Sequence, residues 1–180
     1  EYSEDILTNQ IFNNLESLNE LEKFSLIDDL WSSVTSNNNN INTFYELCMK
    51  LNLDNSIDLQ SLIVSTFGVG KRYANEKNKE KMIRIIDSYL ENLLNNIGSE
   101  YDEKEDVKTT ELRALIFRGL GITCENTKYI DTAKNLYSKY LNDKNSVEPN
   151  LAASVIAIIA QNGDKELHTE FFEKYMSTQI

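Results

Sequence analysis

The side chains able to do chemistry are few and scattered. His168 is the only histidine, one position after Leu167 at the edge of an apolar stripe. A metal site or a general base needs converging partners, and the chain has neither an HExxH pair nor a second histidine. A structural or surface role is the simpler reading. Cys48 and Cys124 stand alone, with no CxxC spacing. Cys124 follows a glycine-containing helix end, where a reactive thiol is conceivable, but no histidine or basic residue adjoins it to lower its pKa.

Gly68-Val69-Gly70-Lys71-Arg72 has the look of a phosphate loop. It lacks the preceding strand, the spacing between glycines and the Ser or Thr after the lysine, so a helix that kinks or ends early is expected. Asp28 and Asp29 are adjacent, and neighbours on a helix project about 100° apart, which keeps them from facing one metal together. Either one could pair with a cation on a neighbouring helix. Glu103-Lys104-Glu105-Asp106 lacks the alternation and the glycine of an EF-hand and reads as solvated surface. No catalytic, cofactor-binding or metal-binding residue stands out.

The elements that must position these residues are helices. With 180 residues, 41% of them hydrophobic, the chain suits a single domain over residues 1–180. One proline and six glycines are too few for an all-β fold, which needs many tight turns. A net charge of −11 speaks against nucleic acid, whose phosphates need a basic stripe, and against an anionic membrane surface. No apolar run approaches the roughly 20 residues that cross a bilayer. Two cysteines without disulfide spacing point to a reducing, hence cytoplasmic, location. The chain opens at Glu1 without an initiator methionine or a signal-like start, as a fragment of a longer protein would.

Apolar residues recur at helical spacing throughout. Ser3, with Glu4 and Asp5, is placed to cap a first helix with stripe Leu7, Ile11, Leu15 and Phe12. Asn19 with Glu22 forms a capping box for a second helix carrying Phe24, Ile27, Leu30 or Trp31, and Val34. The polar run Ser36 to Asn40 is a surface turn. A third helix near Asn42 to Leu51 buries Phe44, Leu47, Cys48 and Leu51, and a fourth from about Ile57 uses Leu59, Leu62, Ile63 and Phe67. Tyr73 to Lys81 is charged and fits neither helix nor loop cleanly. The fifth helix runs through Met82, Ile86, Tyr89 or Leu90, Leu93 and Ile97 to a stop at Gly98.

Ser99 to Lys108 is an acidic loop, after which Thr109 or Thr110 opens a sixth helix through Leu112, Leu115, Ile116 and Leu120. Thr127 or Asn126 opens a seventh with Ile130, Ala133, Leu136, Tyr137 and Tyr140. The best-punctuated piece is the hairpin from Val147 to Tyr175. Pro149 suits a first helical turn, and Leu151, Val155, Ile158 and Ile159 form one stripe. Gly163 suits a left-handed stop and Asp164 a cap, and Leu167, Phe171 and Tyr175 would pack back on that stripe. About nine helices with short turns, in pairs spaced near 40 residues, predict an all-α fold: an α–α superhelix of stacked antiparallel pairs, HEAT- or armadillo-like.

Two segments resemble the C-terminal helical domain of M1-family zinc aminopeptidases, the group of aminopeptidase N, the endoplasmic-reticulum aminopeptidases and the tricorn-interacting factors. Leu18–Trp31 (LNELEKFSLIDDLW) is similar to the family's capped helix with an acidic pair before a bulky residue. Glu148–Ala152 (EPNLA), continuing through Gly163-Asp164 to Tyr175, is similar to its Pro-Asp-Leu-Arg helix, Gly-Asp turn and aromatic-rich helix. Glu111–Phe117 (ELRALIF) resembles a leucine-arginine helix between them. Tyr2 fits the last residue of the family's lead-in strand, and Ser177-Thr178-Gln179 the point where its array continues. Lys23 and Ala152 depart from arginines of the pattern, which implies weakened or missing ion pairs at those two positions.

The resemblance implies a non-catalytic domain that encloses a substrate chamber and gates peptide access. Its partners would be the catalytic domain of the same parent chain and peptide substrates. The parent would remove N-terminal amino acids with zinc held by HExxH and a downstream Glu, and a Gly-x-Met-x-Asn motif would bind the substrate amino terminus. None of these motifs occurs here, so no cofactor is expected in residues 1–180 and no peptidase activity from them alone. The alternative is a stand-alone helical-repeat module that binds another protein. A small enzyme using Cys124 or His168 is the third reading.

Overall fold

A computed structural model describes residues 6–54, 56–102 and 104–177. Among them the chain forms eight α-helices and no strand: α1 (Glu20–Thr35), α2 (Ile41–Lys50), α3 (Ile57–Tyr73), α4 (Glu76–Ile97), α5 (Val107–Arg118), α6 (Thr127–Asn142), α7 (Pro149–Asn162) and α8 (Lys165–Ser177). Every one starts on a side-chain cap. The oxygens of Asn19, Asn40, Ser56, Asn75, Asp106, Asn126, Glu148 and Asp164 each accept a first-turn backbone N–H. Such a cap contributes about 1 kcal/mol by satisfying a donor that the helix itself cannot. Asn19 and Glu22 close the expected capping box at 3.0 and 2.8 Å.

The helices stack in two layers. α1 packs on α3, α3 on α5, and α5 on α7, giving one continuous layer of odd-numbered helices. α2 lies against α1, α4 against α3 and α5, and α6 against α7. This is the expected superhelix of stacked antiparallel pairs. Its core begins with a run of aromatic rings across four helices: Trp31, Phe44, Tyr45, Phe67 and Tyr89, with successive centroids 5.0, 6.0, 6.2 and 5.0 Å apart. Tilted and edge-on contacts of this kind add about 1 kcal/mol each beyond area burial. Ile27, Leu47, Leu59, Ile63, Ile86, Leu90, Leu93, Leu112, Val155 and Ile158 fill the space around and beyond them.

Between α5 and α6 the chain makes a π-helical turn, Gly119–Thr123, that packs on α3, α4, α6 and α7. Its glycines permit close approach. A Cβ at Gly119 would stand 2.9 Å from Leu90 Cδ1, and one at Gly121 2.6 Å from Ile158 Cδ1. Gly98 ends α4 at φ 83°, the left-handed region expected of a helix stop.

Several expectations are corrected. The first stripe lies on a π-helical turn, Leu7–Ile11, and a 3-10 turn, Leu15–Ser17, although Leu7, Phe12 and Leu15 are buried as the spacing implies. α3 does not end at Gly68 and Gly70 but continues to Tyr73, and Asn75 then caps α4. α5 opens at Asp106, not at Thr109 or Thr110, because the last aspartate of the acidic run accepts the Thr109 amide at 3.1 Å. Gly163 is extended (φ −81°, ψ 165°) and not left-handed. It is glycine for room, since a Cβ there would meet Leu167 Cδ2 at 2.5 Å. Tyr175 does not return to the stripe; it is 71% exposed, whereas Leu167 and Phe171 do pack on the core. Glu1, Tyr2, Ser3, Glu4, Asp5, Glu103, Thr178 and Gln179 lie outside the described residues.

Candidate functional site

The residues singled out for chemistry are not brought together. Asp28 and Asp29 are exposed on α1, at the start of the stack, and His168 is exposed on α8, at its end. Neither aspartate makes an ion pair with a described residue. Cys48 is buried in α2 and Cys124 behind the π-helical turn. Burial pushes the Cys124 thiol up to about 12; Asp87 adds to the rise, and Lys71 only partly offsets it. A thiol in that state is a poor nucleophile. Among the described residues no three His, Cys, Asp or Glu side chains gather as metal ligands would.

The polar residues that the fold does use were mostly not those singled out. Lys71, at the end of the glycine-containing stretch, donates to the Ile122 carbonyl at 3.1 Å and to Glu125 at 2.6 Å, tying α3 to the π-helical turn. Arg113 of the leucine-arginine helix is 6% exposed and fully engaged. Its Nε donates to Gly98 O at 2.8 Å, and its two Nη atoms meet the Glu105 carboxylate at 2.7 and 2.6 Å. One guanidinium thus satisfies a carbonyl at the end of α4 and fixes the acidic loop in the two-pronged geometry that arginine favours. That hydrogen bond and charge hold the Glu105 carboxyl below its ordinary range.

A second buried network joins α4 to the turn between α2 and α3. The Tyr89 hydroxyl donates to Gln60 Oε1, and Gln60 Nε2 donates to Leu51 O at 2.7 Å and Asp54 O at 3.0 Å. Asn52 Nδ2 returns to Tyr89 O at 3.0 Å. Gln60 sits inside the stripe of α3 one residue after Leu59, and a polar residue on an apolar face is the one sequence signal that could have exposed the network. Above it Lys23 donates to Asp54 at 2.7 Å. Lys23 therefore makes an ion pair although it departs from the arginine of the pattern. Ala152 is buried on α7 and takes part in no ion pair.

One exposed groove lies on the odd-numbered layer. Leu21, Phe24 and Leu62 form an apolar groove between α1 and α3, rimmed by Glu20, Asp58, Ser61 and Ser65. Leu21 is 74% exposed. Towards α5 the groove meets a neighbouring depression whose rim includes Lys108, bonded to Asp58 at 2.6 Å. Its apolar floor is thus flanked by carboxylates, one of them paired with Lys108.

Comparison with known proteins agrees with this architecture. A family model described as the ERAP1-like C-terminal domain matches residues 1–180. No curated protein and no solved structure gives a significant match. The chain therefore belongs to the ERAP1-like C-terminal domain family, the C-terminal helical domain of M1 aminopeptidases.

Proposed function

We propose that this domain encloses the substrate chamber of a zinc aminopeptidase and gates the entry of peptides, while the parent enzyme removes their N-terminal residues. The observation that carries the reading is the family match across residues 1–180, joined to a stacked array that presents one continuous layer of helices. Stacked helical pairs form extended curved surfaces, which suits a wall better than a catalytic pocket. On this wall the groove of Leu21, Phe24 and Leu62 with Glu20 and Asp58 contacts passing peptides. The catalytic domain of the same parent chain is the principal partner, and it holds the zinc that polarises the scissile carbonyl. The same reading includes a cytoplasmic location, supported by two free cysteines.

The test compares the parent enzyme with and without this domain. Rates are measured on a single-residue amide reporter and on a series of peptides of increasing length. Loss of the length dependence, with cleavage of the reporter retained, is the expected result. An unchanged length profile would overturn the gating role. Chelator-sensitive release of amino acids by residues 1–180 alone would overturn the division of labour.

A further inference from the structure

One stretch of the chain runs against its overall charge. Between Lys71 and Arg84 there are six basic residues and two acidic ones, a balance of +4 in a chain of net −11, which leaves −15 for the rest. Three of these cations, Lys77, Lys81 and Arg84, stand on α4 at i, i+4 and i+7, one helical face. They rim an open groove between α2 and α4 whose apolar lining is Tyr45, Met49 and Ile85. Arg84 is 3.7 Å from Glu80, while Lys77 and Lys81 have no carboxylate within ion-pair distance among the described residues. Met49 is 40% exposed. A purely solvated basic face would not need an apolar lining.

Tyr45 offers the groove its ring, because its hydroxyl has no accessible surface and lies beside Gly70 of α3. Its ring is buried, at 6% exposure, and its hydroxyl is the buried side-chain polar atom without a hydrogen-bond partner among the described residues. We propose that the α2–α4 groove docks an acidic peptide segment of a partner protein, with one or two apolar side chains on Met49 and Ile85 and flanking carboxylates on Lys77 and Lys81. Glu46 and Glu80 also line the groove, so the carboxylates of the segment sit at Lys77 and Lys81 and its apolar side chains lie between. The site lies on different helices from the α1–α3 groove, so it stands whether or not the wall reading holds.

The test is fluorescence anisotropy on the intact protein with two labelled peptides. One carries Glu and Asp around a Leu and a Phe, and the other has Lys at those acidic positions. The acidic peptide is expected to bind and the lysine version not to. Binding should weaken about tenfold in Lys77→Glu/Lys81→Glu and fall with added salt. Met49→Asp should weaken it as well, and all three substitutions are at exposed positions that leave the core intact. Equal binding of both peptides, or of neither, overturns the proposal. So does tighter binding of inorganic polyphosphate or phosphatidylserine vesicles that is indifferent to Met49→Asp. Self-association abolished by the lysine substitutions would also overturn it, since the acidic partner would then be a second copy.

Discussion

α7 and α8 are the two arms of one hairpin, joined at Gly163, and they end up in opposite situations. Val155 and Ile158 of α7 are wholly buried, enclosed by α5, α6 and the π-helical turn. α8 has no buried residue; Leu167 and Phe171 touch the core, and Phe172, Tyr175 and Met176 face outward. Both arms carry apolar residues at helical spacing, and both start on a good cap. The difference lies in the number of neighbours. A stripe shows that a helix has a face to bury, but the depth of burial is set by elements distant in sequence.

The comparison predicts a steep gradient of sensitivity across this hairpin. Ile158→Ala should cost about 3 kcal/mol in urea unfolding, because it opens a cavity in a site that cannot collapse. Gly121→Ala should cost about 2 kcal/mol by forcing a methyl into Ile158, a β-branched side chain with little freedom to move. Phe171→Ala, on the outer arm, should cost about 1 kcal/mol, since only part of its ring leaves water and its edge-on contact with Tyr137 at 5.9 Å is at the margin of the core. If Phe171→Ala proved as damaging as Ile158→Ala, α8 would be part of the cooperative core and the contrast would fail. Hydrogen exchange sharpens it further: α8 amides should exchange by local opening, ahead of those of α7.

A subtler expectation concerns acid. Arg113 holds the folded-state pKa of Glu105 below its ordinary value of 4.5. A lowered carboxyl pKa contributes stability that is complete above the unfolded value and is lost as pH falls through the folded one. The melting temperature should therefore fall below about pH 4.5, and part of that fall should vanish in Arg113→Leu. Equal acid profiles for the two proteins would mean that Glu105 contributes nothing through this pair.

Much of the fold was legible because caps and stripes are local. The Asn19–Glu22 box, the Gly98 stop and the buried positions of α2 and α4 follow from residues a turn or two apart. What escaped depends on distant partners. Gly68 and Gly70 look like breaks, yet α3 continues through them, with Tyr45 and Trp31 lying beside Gly70. Gly163 looks like a left-handed stop but answers to Leu167. The same applies to the polar sites. Glu105 and Asp106 read as solvent-facing charge, whereas Arg113 and the Thr109 amide give them defined roles. The α1–α3 groove pairs residues about forty positions apart, so no local pattern could have drawn it.

The contacts of Arg113 have a kinetic consequence. Glu105 and Gly98 lie only 8 and 15 residues from it in sequence, whereas Tyr89 reaches Gln60 across 29. Short loops close at little entropic cost and are the first long-lived contacts available to an unfolded chain. The α4–α5 corner is thus a natural folding nucleus, with the earlier and later pairs condensing on either side of it. Replacing Arg113 by leucine should slow refolding more than it hastens unfolding, the signature of a side chain already in place at the transition state.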